Sequence, residues 1–171
     1  MVRIIMYGCN GKMGQVITKM IAADPDAEIV AGIDARDDGH NSYPVFATPA
    51  ECNVEADCVI DFTAAPAVDA ILEYCVEKKL PLVECTTGLS DEQLEKLDRA
   101  SGKIAVLRSA NMSLGVNLLM KLLKEAAARL VPAGFDIEIV EKHHNQKLDA
   151  PSGTAVALAD SINEEFDNEY E

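Results

Sequence analysis

The sequence predicts an α/β fold: a parallel sheet with helices on both faces, followed by the start of a smaller α+β domain. Three observations predict it. Apolar runs of strand length alternate with helical patterns from residue 2 to residue 107, the order of successive βαβ units. A glycine turn, Gly8-Cys9-Asn10-Gly11-Lys12-Met13-Gly14, joins the first strand to the first helix. Past Asn111 the rhythm changes to one long helix and then a period-two strand, which places a domain boundary there: one domain over 1–111, a second over 112–171.

Composition narrows the class. The 171 residues are 49% hydrophobic with few aromatics, which suits an aliphatic core. A net charge of −14 argues against a nucleic-acid partner, since phosphate contacts need clustered Lys and Arg. Five cysteines (Cys9, Cys52, Cys58, Cys75, Cys85) form no CxxC pair, so neither a disulfide frame nor a metal site is expected. The chain enters a strand at once, with no basic and apolar leader, and no apolar run reaches the ~20 residues of a membrane helix. A cytoplasmic protein without a membrane partner is expected.

The elements follow in order. Residues 2–7 are an apolar run of the kind that forms a buried parallel strand. Met13, Val16, Ile17, Met20 and Ile21 mark one face of a helix, which Asp24-Pro25-Asp26 ends before a second strand at 28–34. The turn between them is a G-x-x-G-x-x-G variant of the dinucleotide fingerprint, in which glycines let backbone N–H groups reach a pyrophosphate at the positive end of a helix. Asp34 lies about 20 residues past the last glycine, where an acid would bond a ribose hydroxyl. This makes the domain Rossmann-type and its cofactor a pyridine dinucleotide. Arg36, just beyond, suits a 2′-phosphate as well as it suits solvent, so NADH and NADPH both stay open.

Residues 37–49, rich in Gly, Asn, Ser, Asp and Pro, read as loop. A third strand at 58–62 ends in Asp61-Phe62-Thr63, a helix covers 68–78, and a fourth strand at 81–84 ends in Cys85-Thr86-Thr87-Gly88. Ser90-Asp91-Glu92-Gln93 has the form of a helix cap with an acidic first turn. A fifth strand at 104–107 ends in Arg108-Ser109-Ala110-Asn111. Three small polar turns at successive carboxyl ends gather where open α/β sheets bind ligands.

The second domain opens with a helix at 113–130, whose broad apolar side predicts burial between two bodies. Pro132-Ala133-Gly134 stops it, a half-exposed strand runs over 135–141, and a helix covers 155–166. Between the last two lies the densest chemistry in the chain, residues 141–154, with two of the three histidines, a lysine and a Pro-Ser-Gly-Thr helix start. Either His143 or His144 has the titration range for a proton donor, Lys147 is a compact cation, and the N–H groups of Gly153 and Thr154 form an anion seat. Taken singly, each has an ordinary structural explanation; together, behind a hydride-carrier domain, they point to a reductase. The alternative is a module that binds NAD(P)H to sense redox state without catalysis.

Residues 141–154 read E-K-H-H-N-Q-K-L-D-A-P-S-G-T, and at these residues the chain resembles the dihydrodipicolinate reductase family. The glycine turn, Asp61-Phe62-Thr63, Thr86-Thr87-Gly88 and the run from Ala110 to Asn117 match it too. The resemblance implies reduction of 4-hydroxy-tetrahydrodipicolinate to tetrahydrodipicolinate by hydride from NADH or NADPH, in lysine biosynthesis through diaminopimelate. It implies His143 as proton donor with Lys147 as catalytic partner, and a small dicarboxylate substrate held by His144, Gly153 and Thr154. It implies a cofactor lined by Gly8, Cys9, Asn10, Gly11, Lys12, Met13, Asp34, Cys85, Thr86, Thr87, Ser109, Ala110, Asn111 and Met112, and a cytoplasmic homotetramer. Cys85 stands where the family usually has glycine, and Ala35 where many members carry a basic residue. The family's second domain continues past the point matched by Glu171, so a truncated second domain is expected, with cofactor binding better preserved than catalysis or assembly.

Overall fold

The computed structural model describes residues 1–109, 111–145 and 150–167. It divides into two compact units, Met1–Ala110 and Asn111–Glu171.

The first unit is a six-stranded parallel sheet in the order β3-β2-β1-β4-β5-β6, with β1 Val2–Tyr7, β2 Ala27–Ile33, β3 Val45–Phe46, β4 Cys58–Asp61, β5 Leu82–Glu84 and β6 Val106–Arg108. This is the doubly wound order in which direction reverses at β1, leaving a crevice outside the carboxyl ends of β1 and β4. Residues Ile4 to Tyr7 of β1 are all buried, as a central strand covered on both faces requires. Ile5, Ile33, Val59 and Leu82 are buried from the sheet, and Ile71, Cys75 and Leu97 meet them from the helices α2 (Ala65–Lys78) and α3 (Asp91–Ser101).

Local signals set the ends of these elements. Ser90 caps α3 by accepting the Gln93 N–H at 3.3 Å, while Gln93 Oε1 accepts the Ser90 N–H at 3.1 Å. Both halves of a capping box are therefore present. Lys78 ends α2 and Lys79 turns the chain in the left-handed region, φ 57°. The first strand is anchored sideways by Arg3, whose guanidinium pairs with Asp57 at 2.9 Å and holds that carboxyl down at about 2.

Within 37–49 the structure differs from the loop expected. Val45 and Phe46 add an edge strand, pairing with Gly32 and Ile33. Two residues are too few to show a period, which is why the pattern hides them. The helix expected over 68–78 begins earlier, at Ala65, because Pro66 sits in its first turn, where a missing N–H costs nothing. The strand expected at 104–107 is shifted to Val106–Arg108.

The second unit holds α4 (Leu114–Leu130), a 3₁₀ turn at Val131–Ala133 and α5 (Gly153–Asn163), which continues as a 3₁₀ turn at Glu164–Phe166. Ser113 and Ser152 cap the two helices by accepting the Val116 and Ala155 N–H groups. The helices pack on each other through Ser161, whose hydroxyl donates to Met120 O at 3.2 Å, and through a Lys124–Glu164 ion pair.

Two expectations are corrected here. Residues 135–141 form no ladder with any strand among the described residues. Alternation fixes which face each side chain takes, but a strand exists only with a neighbour to exchange hydrogen bonds. The apolar face survives: Phe135, Ile137 and Ile139 line a cavity of about 330 Å³ with Ala159, Ile162 and Phe166. Nor is α4 enclosed. Only Ala127 is buried among its residues, while Leu114, Leu118, Leu119 and Leu122 are exposed. An apolar surface this broad needs partners on several sides, and α5 supplies one.

Candidate active site

In the first unit the site is built by backbone. Hydrogen bonds carry the sheet's ladder one step past the strand ends: Gly8 N–H to Ile33 O (2.8 Å), Phe62 N–H to Tyr7 O (3.1 Å), Cys85 N–H to Asp61 O (3.0 Å) and Ser109 N–H to Glu84 O (3.0 Å). The glycine turn and the three small polar turns are thereby aligned along one edge. Four stretches far apart in sequence become neighbours.

The glycine turn is as tight as a phosphate cradle must be. Gly8 has φ +79°, and a Cβ there would meet Phe62 O at 2.9 Å. A Cβ on Gly14 would stand 2.2 Å from Gly8 O. Helix α1 (Lys12–Ala22) starts at once behind Gly11, with no side-chain cap and no acid in its first turn. Its opening N–H groups are therefore directed at any anion placed there. A pyrophosphate fits this cradle.

Asp34 reaches back to the turn. Its Oδ2 accepts the Asn10 N–H at 3.0 Å and its Oδ1 the Arg36 N–H at 3.3 Å. Sequence reasoning missed how far the neighbouring loop joins in. Asn41 Nδ2 donates to Asn10 Oδ1 at 2.7 Å, Gln15 Nε2 donates to Cys9 O and to Asn41 Oδ1, and Asn10 Nδ2 donates to Arg36 O. An Asn in a polar loop carries no periodic signal, so Asn41 was not legible. Cys9 is fully buried beneath the turn, and a Cβ on Gly32 would strike its Sγ at 2.6 Å. Burial first, then the charge of Asp34, pushes its thiol up to about 12. Lys12 and Met13 open α1 and are exposed, and Cys85 and Thr86 are buried at the end of β5, with Thr87 exposed beside them. Ala110 lies outside the described residues.

A further pair escaped the sequence reading altogether. Asp61 and Glu84, the last residues of β4 and β5, are partners in register and both are fully buried. Asp61 Oδ1 accepts the Thr63 N–H and Glu84 Oε1 the Thr86 N–H, each at 2.8 Å. Acids in such positions read as ordinary strand ends until the strands are placed side by side.

In the second unit the site is built by one side chain. Glu141 Oε1 accepts the Ser152 N–H at 2.8 Å, and Glu141 Oε2 lies 2.7 Å from His143 Nε2. These bonds, Ser152 first and His143 second, hold the Glu141 carboxyl down at about 2. A carboxylate that stays ionised through neutral pH thus orients the imidazole and ties it to the start of α5. Gly153 and Thr154 are the first two residues of that helix, and Thr154 Oγ1 accepts from Asn111 Nδ2 at 3.3 Å. Asn111 O and Ser113 O both accept from Asn117 Nδ2, which fixes the entry to α4. His143 and His144 are exposed, and Met112 is half exposed. Lys147 lies outside the described residues. The sequence reading did not give Glu141 a role; its place at the head of the motif was the signal. Among the described residues no cluster of His, Cys, Asp and Glu could hold a metal ion, and no helix is long and apolar enough to cross a membrane.

Comparison with known proteins agrees with this geometry. The model of "Dihydrodipicolinate reductase, N-terminus" matches residues 2–112, and that of "Dihydrodipicolinate reductase, C-terminus" matches 115–171. The 4-hydroxy-tetrahydrodipicolinate reductase of Clostridium tetani is 47% identical over 171 residues, covering 100% of this chain and 67% of its own length. That of Caldanaerobacter subterraneus subsp. tengcongensis is 50% identical over 164 residues, 96% of this chain and 64% of its own. The dipicolinate-bound dihydrodipicolinate reductase of Paenisporosarcina sp. TG-14 superposes with a TM-score of 0.78 at 33% identity, over 96% of this chain and 66% of that one. The chain thus spans about two thirds of the length of these relatives. Cys85, at the end of β5, donates its N–H to Asp61 O and so carries the parallel pairing one step past the strand. Matched along its whole length in sequence and across its fold, the chain belongs to the dihydrodipicolinate reductase family.

Proposed function

We propose that the chain is the cofactor-binding and proton-donating part of an NAD(P)H-dependent 4-hydroxy-tetrahydrodipicolinate reductase of lysine biosynthesis through diaminopimelate. The observation that carries this reading is the Glu141 clamp, which holds His143 and the α5 N-terminus together in a chain that also contains a complete glycine cradle. Residues 1–111 form the dinucleotide domain and 112–171 part of the substrate domain. Gly8 to Met13 and the α1 N-terminus take the pyrophosphate, Asp34 a ribose, and Cys85, Thr86, Thr87 and 109–112 the remaining edge of NADH or NADPH. When bound, the nicotinamide supplies the hydride that replaces the C4 hydroxyl of the substrate, which leaves as water with one proton.

His143 delivers that proton from Nε2, the atom Glu141 orients. Lys147, a fixed cation, is its catalytic partner. His144 and the N–H groups of Gly153 and Thr154 hold the carboxylates of a small cyclic dicarboxylate, a class supported by the dipicolinate in the Paenisporosarcina enzyme. The assembled enzyme is a cytoplasmic homotetramer. Calorimetry with NADH, NADPH and pyridine-2,6-dicarboxylate tests the reading. Both nucleotides should bind, and Lys147→Cys should weaken dicarboxylate binding at least about tenfold, the scale of a lost charge-assisted bond. Nucleotide binding with no dicarboxylate site would favour the redox-sensing module.

A further inference from the structure

The cofactor edge contains a problem in charge that its neighbours do not solve. Asp61 and Glu84 are adjacent, in register and without solvent contact. Each uses one oxygen to accept the backbone N–H two residues on, Thr63 for Asp61 and Thr86 for Glu84. The other oxygens, Asp61 Oδ2 and Glu84 Oε2, are buried and receive no donor. The titratable groups that act on the pair are Tyr7 from β1, Cys75 from α2 and Cys85 beyond β5, with the Thr63 and Thr86 hydroxyls beside it. None of them is a cation; Arg108, in register with Glu84 on β6, is exposed to solvent. Burial pushes the Cys75 and Cys85 thiols up to about 12 and raises Tyr7 as well, so all three stay neutral near neutral pH.

Two ionised carboxylates side by side in such a place would lack both solvent and counter-charge. A single proton resolves this, since it turns one carboxyl into a donor to the other and satisfies both orphan oxygens. We propose that Asp61 and Glu84 share one proton between Oδ2 and Oε2, and that this bond holds the Thr63 and Thr86 turns where NAD(P)H binding needs them. Both are positioning residues, acting on the cofactor through the turns whose N–H groups they bind. The inference rests on the cofactor reading above for its second half only.

The direction of the pH effect follows. Burial first and the Asp61 charge second raise Glu84 above the ordinary carboxyl range, to about 7, and burial raises Asp61 too. A raised folded pKa means stability fully present at acid pH and lost as pH rises from the ordinary carboxyl value through about 7. Above that, two like charges face each other, and the turns separate or admit water.

Glu84→Gln tests this, because an amide N–H donates to Asp61 Oδ2 at every pH; Asp61→Asn is the mirror variant should the first fold poorly. Thermal melts and NADH fluorescence titrations are run on wild type and variant from about pH 5.5 to about pH 8.5, spanning the titration. Wild-type NADH affinity should fall about tenfold across the range, the size of one pKa unit of differential interaction, while the variant's stays level. The wild-type melting point should fall with pH and the variant's should not, and the carboxylic C=O stretch seen by infrared in the wild type should vanish in the variant. Identical melting profiles in wild type and variant overturn the shared proton. Different melting but identical NADH profiles overturn the positioning role. Failure of folded wild type to bind NADH at any pH overturns the cofactor reading and the positioning role with it, while the melts decide the shared proton separately.

Discussion

The two units assemble their half-sites by opposite means. In the first, four turns are aligned because each strand end passes one more backbone hydrogen bond to its neighbour, so the geometry is a by-product of the sheet. In the second, residues 135–142 have no ladder among the described residues, and the carboxylate of Glu141 joins His143 to Ser152 across the gap. Backbone alignment is cooperative with the core and fails only when the sheet fails. A side-chain clamp depends on one ionised group and fails alone. The lesson is that a cofactor half-site of this kind is robust, whereas the half-site around Glu141 and His143 is tunable.

Perturbations of decreasing size separate the two. Gly14→Val places side-chain atoms against Gly8 O and the Cys9 backbone, contacts already closer than 3 Å for a bare Cβ. A clash with backbone cannot be relieved by a rotamer, so the first unit should lose about 3 kcal/mol or more and NADH binding should be abolished, read by chemical denaturation and fluorescence titration. His143→Gln removes the proposed donor and leaves the sheet edge untouched. In the full-length enzyme it should lower kcat about a hundredfold with NADH affinity changed little, measured by steady-state kinetics and titration. A loss confined to KM would reassign His143 to substrate binding.

Glu141→Gln is milder, since an amide oxygen still accepts one of the two bonds. Dicarboxylate affinity should fall about tenfold, against a much smaller change for NADH. Because the folded pKa of Glu141 is depressed to about 2, its contribution is present above the ordinary carboxyl range and is lost as pH falls toward 2. Helix α5 should therefore loosen in acid in the wild type, seen by circular dichroism, and that acid step should be missing in the variant. Ser90→Ala is the smallest change. Loss of the capping box should cost about 1 kcal/mol in the first unit with no change at either half-site. A fall in NADH affinity would mean that helix ends, not strand ends, set the edge.

How much of this was legible in the sequence follows from the same contrast. The glycine turn, the parallel strands, the Ser90 cap and the Pro-Ser-Gly-Thr helix start are local, written in adjacent residues, and the elements they predict are present. Val45–Phe46 is too short to have a period, and it is a strand only because Gly32 and Ile33 lie beside it. Residues 135–141 are the converse case, a clean period with no neighbour to pair. The Asp61–Glu84 contact is invisible for the same reason: each acid is an unremarkable strand end, and their meeting exists only in the register of β4 against β5. The motif at 141–154 named the chemistry without showing that Glu141 is what binds its two ends.

The burial of Cys9 has a practical consequence. All five cysteines are free and all belong to the first unit; four are buried and Cys58 is half-buried. Thiol reagents attack only the exposed thiolate, and the raised pKa of Cys9, Cys75 and Cys85 leaves almost none at neutral pH. Alkylation therefore becomes a stopwatch for the opening of one half of the molecule, silent to the other. Modification of Cys9 in particular times how often the floor of the glycine turn comes apart, and a bound dinucleotide should slow that clock.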